Sequence, residues 1–415
     1  MIQGTTHIVG AGVAGLSAAV SLVEQDRRII IHEMTRYAGG RCRSYFDPVL
    51  GIQIDNGNHL ILSSNTHTRE FLNKIKSYHL LPVPEKAKFP FFDIKDMSQW
   101  TVEINKGFFP RWIFNKNMRV PETRAWDYFH LLPFLIRSYC TNKPVAQLVS
   151  FRERVFKYLV HPVLLAALNT NLEEASSQLA AKIILKTIIK GGEACKPLLS
   201  SLGLSSVFVD PAVAFLKSRG VEIQFNHQLK SIHFKNQKVC SLNFDDNEFE
   251  LKREDKVILS VPPWVAKTLI PNLTTPTEYS PIVNIHYKIV PPKTLPPILA
   301  VINGYAEWIF AFPHRISVTI SAADKYIDCV REELASMVWN EIKSISGLRV
   351  DLPPWQIVKE KRATFKATPA QDLLRPQAQT KLSNLFLAGD WTQTGYPATI
   401  EGAVVSGQKA AKLAL

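Results

Sequence analysis

The segment HIVGAGVAGL sets Gly10, Gly12 and Gly15 in a GxGxxG pattern between an apolar run and a helical pattern of small residues. Thr5–Val9 reads as a buried strand, residues 12–23 as a helix, and Arg28–His32 as a second strand. Each glycine answers a physical demand. Gly10 permits a tight turn, Gly12 lets backbone approach a pyrophosphate, and Gly15 lets the helix lie close on the strand. The unpaired N–H groups and dipole at the start of that helix favour negative charge. Glu33, closing the second strand, is placed to hold a ribose hydroxyl. A strand-helix-strand unit of this kind begins a doubly wound, mostly parallel sheet with a dinucleotide at its edge.

At 415 residues the chain has room for two domains, or for one large domain with an inserted partner. Hydrophobic residues make up 46% and charged residues 20%, which excludes a disordered chain. The excess of 49 Lys and Arg over 36 Asp and Glu, a net charge of +13, points to an acidic partner: nucleic acid, an anionic membrane or a phosphate-bearing ligand. Cys42, Cys140, Cys195, Cys240 and Cys329 are scattered, without a CxxC, and predict neither a disulfide framework nor a metal site. A reducing, cytoplasmic setting fits that usage. The start of the chain lacks a basic segment ahead of its apolar residues and is not read as a secretory leader. No run of apolar residues is long enough for a membrane span, so a soluble or peripheral protein is expected.

Further along, residues 384–388 read as a short strand and 400–415 as a helix of Ala, Val and Gly. Residues 163–190 carry helical periodicity, and 220–244 alternate as strands do. A strand at 256–260 is ended by the ValProPro of residues 261–263. Prolines crowd residues 271–297 and predict a crossover rather than regular structure. The resulting expectation is an α/β fold with a Rossmann-like nucleotide domain made of residues 1–62, 205–265 and 355–415. An inserted α+β substrate domain takes residues 63–204 and 266–354.

After Glu33 the chain continues EMTRYAGGRCRS, adding Gly40, Arg41 and Arg43 where a pyrophosphate and flavin would lie, and near the far end it reads LFLAGDW. Both segments resemble those of amine oxidase and carotenoid desaturase flavoproteins, whose nucleotide domain is of the glutathione-reductase type. The resemblance implies FAD as cofactor, with Gly40 and Arg41 along it and with Gly389 and Asp390 at the ribityl and phosphate region. It also implies that the helix starting near Thr399 and Gly402 stabilises negative charge on the reduced flavin. Leu229 either meets adenine through its backbone or is an ordinary core strand residue. Tyr396 and Trp391 either shape the flavin front or pack the last helix. Gly191 and Gly192 form an isolated pair rather than a second fingerprint, so an external electron donor is expected.

Five segments carry a narrower resemblance: DNGNH at 55–59, LLAALNTNLEEAS at 164–176, GLSSVFVDPA at 203–212, VILSVPPW at 257–264 and AGDWTQTGYPATIEGAVVSG at 388–407. They are similar to the squalene-associated FAD-dependent desaturases, understood as hydroxysqualene dehydroxylases of hopanoid synthesis. What this implies is reductive removal of an allylic hydroxyl from hydroxysqualene to give squalene, which needs a proton for the leaving hydroxyl and a hydride for the carbon. His59 is the first candidate general acid and Asp55 the second. The alternatives are a hydrogen-bonded structural histidine and a turn-forming carboxylate. Two other functions stand beside this one: a desaturase or amine oxidase of the same superfamily, and a non-catalytic carrier of isoprenoid lipid.

Residues 106–119, KGFFPRWIFNKNMR, interleave Lys106, Arg111, Lys116 and Arg119 with Phe108, Phe109, Trp112 and Phe114. Such mixing suits an interfacial segment on anionic lipid, stacking on single-stranded nucleic acid, or equally a core strand with solvated charges. A hydrocarbon substrate favours lipid, on the inner face of the cell membrane, and without a recognition motif nucleic acid is not expected as a partner.

Overall fold

The computed structural model describes residues 4–25, 27–150, 153–245 and 247–415. The first three residues, where a leader would begin, lie outside them. Thr5–Val9 is the central strand of a five-stranded parallel sheet, flanked by Arg28–His32 on one side and Lys256–Leu259 on the other. Glu222–Gln224 and Leu385–Leu387 complete the two edges. The central strands are almost continuously apolar, as strands covered on both faces must be.

One of those covers is a pair of helices, Val13–Leu22 and Ile400–Ala414. Small residues let them touch backbone to backbone: a Cβ on Gly407 would collide with the Ala14 carbonyl and come within 2.9 Å of the Ala18 nitrogen. Ser17 Oγ donates to the Val404 carbonyl at 3.0 Å across the same seam. The alternating stretch expected at 220–244 divides in two. Glu222–Gln224 joins the parallel sheet, then Asn226 takes φ +53° and the chain turns into an antiparallel sheet of Leu229–Lys235, Lys238–Phe244 and Glu248–Glu250.

A second, seven-stranded sheet runs in the order Trp355–Phe365, Tyr279–Tyr287, Arg315–Ile320, Trp308–Phe312, Ile298–Ile302, Ala87–Asp93 and Ser98–Ile104. Its two faces alternate as pleating requires. Ile309, Val318, Val283 and Ile285 pack with Trp339 and Val338 of the helix Arg331–Ser346, whereas Phe310, Thr319, Ile282 and Asn284 face an internal cavity. The helices His161–Leu168 and Ser177–Lys186 contribute to the wall of that cavity.

Two expectations are corrected. Residues 271–297 include the nine-residue strand Tyr279–Tyr287, paired on both sides. Pro281 fits there because the register shifts between Ser280 and Ile282, so its missing N–H falls at a bulge. Trp355–Phe365, grouped with the nucleotide segments in the sequence, pairs instead with Tyr279–Tyr287 in the seven-stranded sheet. Among the described residues no helix is long and apolar enough to cross a membrane. The helix seam generates a prediction: Gly407→Val should lower stability by about 3 kcal/mol through overpacking, seen as a fall in the thermal midpoint of the isolated protein.

Candidate active site

Where the parallel strands end, the segments that follow them meet at a cavity of about 860 Å³. Gly10 turns there with φ +105°, and a side chain on it would strike the Ser260 carbonyl; one on Gly15 would strike the Gly10 carbonyl. Gly12 differs: a Cβ built there meets nothing within 4 Å. The protein's own packing does not demand that glycine, so its bare face serves whatever enters the cavity. Gly12 also starts the helix Val13–Leu22 with no side-chain cap, leaving first-turn N–H groups beside the cavity. Gly39 N–H donates to the Ala11 carbonyl at 2.8 Å, laying Gly40, with φ +57°, against Gly12. This bare cradle fits the pyrophosphate of a dinucleotide.

Glu33 is buried beside it, accepting from the Ala11 N–H at 2.9 Å and from Thr35 N–H and Oγ1 at 2.9 and 2.8 Å. Arg41 Nη2 pairs with Asp390 Oδ1 at 2.7 Å, so the two motifs from opposite ends of the chain meet as one ion pair. Arg375 Nη2 fixes the Asp390 carbonyl at 3.2 Å, and Gly389 N–H donates to Ser406 Oγ at 2.9 Å. Leu229 lines the cavity at the first residue of its strand. Thr399 also lines it and caps the C-terminal helix by accepting from Gly402 N–H at 3.1 Å. That bond takes up Gly402's N–H, and Gly402 is not among the lining residues; its lack of a side chain instead leaves room for the Pro397 carbonyl, 2.7 Å from where a Cβ would stand. Trp391 is buried and donates to the Val261 carbonyl at 3.0 Å, and both it and Tyr396 line the cavity.

The two candidate acids separate. His59 lines the cavity with no hydrogen bond from a described residue, and burial pushes its imidazole below its ordinary pKa. It is therefore neutral at neutral pH, a weak proton donor. Asp55 is not among the residues lining the large cavity. Its carboxylate accepts from Ser44 Oγ at 2.6 Å and Leu204 N–H at 2.8 Å, and pairs with buried Arg315 at 3.0 Å. The geometry gives Asp55 the work of joining three segments rather than of an acid.

Beyond the cradle the same cavity becomes apolar, with Leu159, Val163, Ala167, Ile183, Trp308 and Phe310 on its walls. Polar groups enter it at few points. Asn58 Nδ2 donates to Thr319 Oγ1 at 3.1 Å, which donates to Asn284 Oδ1 at 2.8 Å. Lys182 and Lys186 reach it from one helix, and Lys186 Nζ sits 3.5 Å from the centroid of the Tyr396 ring. Sequence reasoning missed both lysines, which look like solvated residues of an amphipathic helix; only i,i+4 spacing places them on one face.

At the Glu33 end, His32 and His227 line the cavity and His7 lies behind them. His7 Nδ1 meets His32 Nε2 at 3.0 Å, and His32 Nδ1 meets His227 Nδ1 at 3.0 Å. Burial pushes His7 down to about 4 and His32 down to about 3. Both stay neutral in the folded chain but charge below their ordinary value once unfolded, so the unfolded state binds more protons as the pH falls. Stability is therefore fully present above pH 6.5 and is lost as the pH drops toward 4. Urea midpoints measured from pH 7.5 to 4.5 should fall, and His32→Gln should flatten that slope.

The comparisons with known proteins follow this geometry. The model of the flavin-containing amine oxidoreductase family matches residues 13–415. The chain is 46% identical over 409 residues to the hydroxysqualene dehydroxylase of Sinorhizobium fredii, covering 99% of this chain and 98% of that one. It is 44% identical over 410 residues to the hydroxysqualene dehydroxylase of Zymomonas mobilis, covering 99% of both. The crystal structure of an oxidoreductase from Methanosarcina mazei shares the fold, with a TM-score of 0.73 at 14% identity over 97% of this chain and 98% of that one. The bare Gly12 cradle, the Arg41–Asp390 pair and these matches agree: the chain belongs to the flavin-containing amine oxidoreductase family and, within it, to the hydroxysqualene dehydroxylases.

Proposed function

We propose that this protein removes the allylic hydroxyl of hydroxysqualene reductively to give squalene, with FAD as its cofactor. The observation that carries the reading is one cavity running from the bare glycine backbone at Gly12 to a chamber walled by Val163, Ile183, Trp308 and Phe310. A flavin cradle that opened onto a polar cleft would suit amines; this one opens onto a surface for hydrocarbon. When bound, reduced FAD supplies the hydride. The chain's residues do the rest. With FAD bound, Val13 and Ala14 would offer first-turn N–H groups to its pyrophosphate, Glu33 would take a ribose hydroxyl, and Gly40, Arg41, Gly389 and Asp390 would lie along it. The N-terminus of the helix Ile400–Ala414 directs its positive dipole end at the same cavity, where it would favour negative charge on a bound, reduced flavin. Apolar walls exclude water from an allylic cation, which water would capture.

The parallel sheet with its two covering helices is read as the nucleotide domain, and the seven-stranded sheet with the helices of residues 125–195 as the substrate domain. Electrons come from an external donor, since the sequence carries one dinucleotide fingerprint. Reduced, FAD-loaded protein mixed anaerobically with hydroxysqualene should yield squalene on extraction. A more unsaturated product from the oxidised form would favour a desaturase, and no conversion in either direction would favour a carrier.

The substrate's home is a bilayer, and the chain has a surface suited to one. Phe108, Trp126 and Tyr139 are 81, 75 and 88% exposed, with Phe109, Phe114, Leu132 and Ile136 also exposed. Lys106, Arg111, Lys116 and Arg119 lie in the same stretch. This patch is proposed to hold the protein on the cytoplasmic face of the cell membrane. In flotation assays the protein should rise with anionic vesicles, less so at high salt, and Phe108→Ser/Trp126→Ser should reduce its recovery. Equal failure to float with anionic and neutral vesicles would remove the proposal.

A further inference from the structure

Hydroxide is a poor leaving group, so dehydroxylation needs a proton donor facing the substrate chamber, and the two acids expected from the sequence do not supply one readily. Asp55 is locked to Arg315 away from the chamber, and His59 is held neutral. The guanidiniums of Arg41 and Arg362 reach the cavity but do not release protons in proteins. Glu401 is spent as a cap, accepting from the N–H groups of His67 and Thr68 and from Thr68 Oγ1.

One group is left. The helix Ser177–Lys186 buries Leu179, Ala180 and Ile184 and turns Lys182, Ile183 and Lys186 toward the cavity. Lys182 is exposed, whereas Lys186 is half-buried with its ammonium over the Tyr396 ring. Lys186 Nζ makes no ion pair and no hydrogen bond with a described residue, so beside the apolar chamber its ammonium can donate to a ligand. We propose, resting on the dehydroxylation reading, that Lys186 binds the hydroxyl of the substrate and protonates it as it leaves, with Tyr396 holding the ammonium in place.

The ring face stabilises the cation without competing for its hydrogens. Burial also lowers the ammonium's pKa, opposed by Glu401, so Lys186 gives up its proton more readily than a solvated lysine. The charged and titratable groups around it are Lys182 on its own helix, Lys190 beyond it, and Tyr396 and Glu401 opposite. In the step, the allylic C–O bond breaks with its electron pair going to oxygen. The oxygen takes a proton from Nζ and departs as water, leaving a neutral amine and an allylic cation. The cation is quenched by the hydride that reduced flavin supplies, and the amine is reprotonated from solvent. The substrate is thereby reduced by two electrons and the flavin oxidised by two.

The test uses FAD-loaded enzyme, prereduced and mixed with hydroxysqualene in a single turnover. Wild type should slow as the pH is raised through the Lys186 titration. Lys186→Met and Lys186→Arg should each slow the step about 100-fold or more and lose that basic limb. The acetate ester of hydroxysqualene, whose leaving group needs the proton far less, should restore most of the rate in Lys186→Met. A binding measurement stands apart from turnover: perturbation of the oxidised flavin spectrum should show wild type preferring hydroxysqualene over squalene by about fivefold, and Lys186→Met should erase that preference. Unchanged flavin content reports a folded variant; if Lys186→Met loses flavin, Lys186→Arg carries the test. Variants within about threefold of wild type that keep the pH limb overturn the proposal alone. A wild type that forms no squalene overturns the dehydroxylation reading and the proposal with it.

Discussion

The two ends of this chain are pressed together by absent side chains, and the site depends on that contact. Gly407 admits the Ala14 carbonyl, Gly15 admits the Gly10 carbonyl, and Gly10 admits that of Ser260. Each is a place where any Cβ would push two segments apart. The result stacks the C-terminal helix on the fingerprint helix and the fingerprint turn on the strand Lys256–Leu259. Only with those segments in place can Arg41 reach Asp390, 349 residues away. Steric exclusion, more than attraction, sets the geometry of the cradle.

The parts of this arrangement that were legible from sequence are those where one residue type answers a backbone demand. Glycines at 10, 12 and 15, the acidic end of the second strand, and the apolar strand before Gly389 could be read because each rests on short-range sterics. The strand Tyr279–Tyr287 was hidden by its prolines, since whether a proline breaks a ladder depends on a bulge that only the partner strand creates. The isolated pair Gly191 and Gly192 carries no ligand signal because its function is packing: side chains there would run into the carbonyls of Gly107 and Ile104. Asp55 looked like an acid because its partner Arg315 is 260 residues distant. Lys186 carries no local signal, because nothing near it in sequence reveals that Tyr396 lies beneath it.

Charge is distributed in keeping with these roles. The buried Arg375 is consumed by Asp372, by the carbonyls of Asp390 and Thr392, and by Thr394, so it braces the loop that presents Asp390 rather than any ligand. Arg315 does the same for Asp55 and the Gln53 carbonyl. Buried ion pairs of this kind contribute little net stability, but removing one partner strands the other, so they hold a specific arrangement in place.

The pleat of the seven-stranded sheet has a consequence for how such proteins diversify. Residues on its cavity face, such as Ile282, Asn284, Phe310 and Thr319, alternate with those that pack on Trp339 and Val338. A substitution on one face therefore leaves the other face's core untouched. Chemistry and foldability are encoded on odd and even positions of the same strands, so substrate preference can drift while the scaffold stands still.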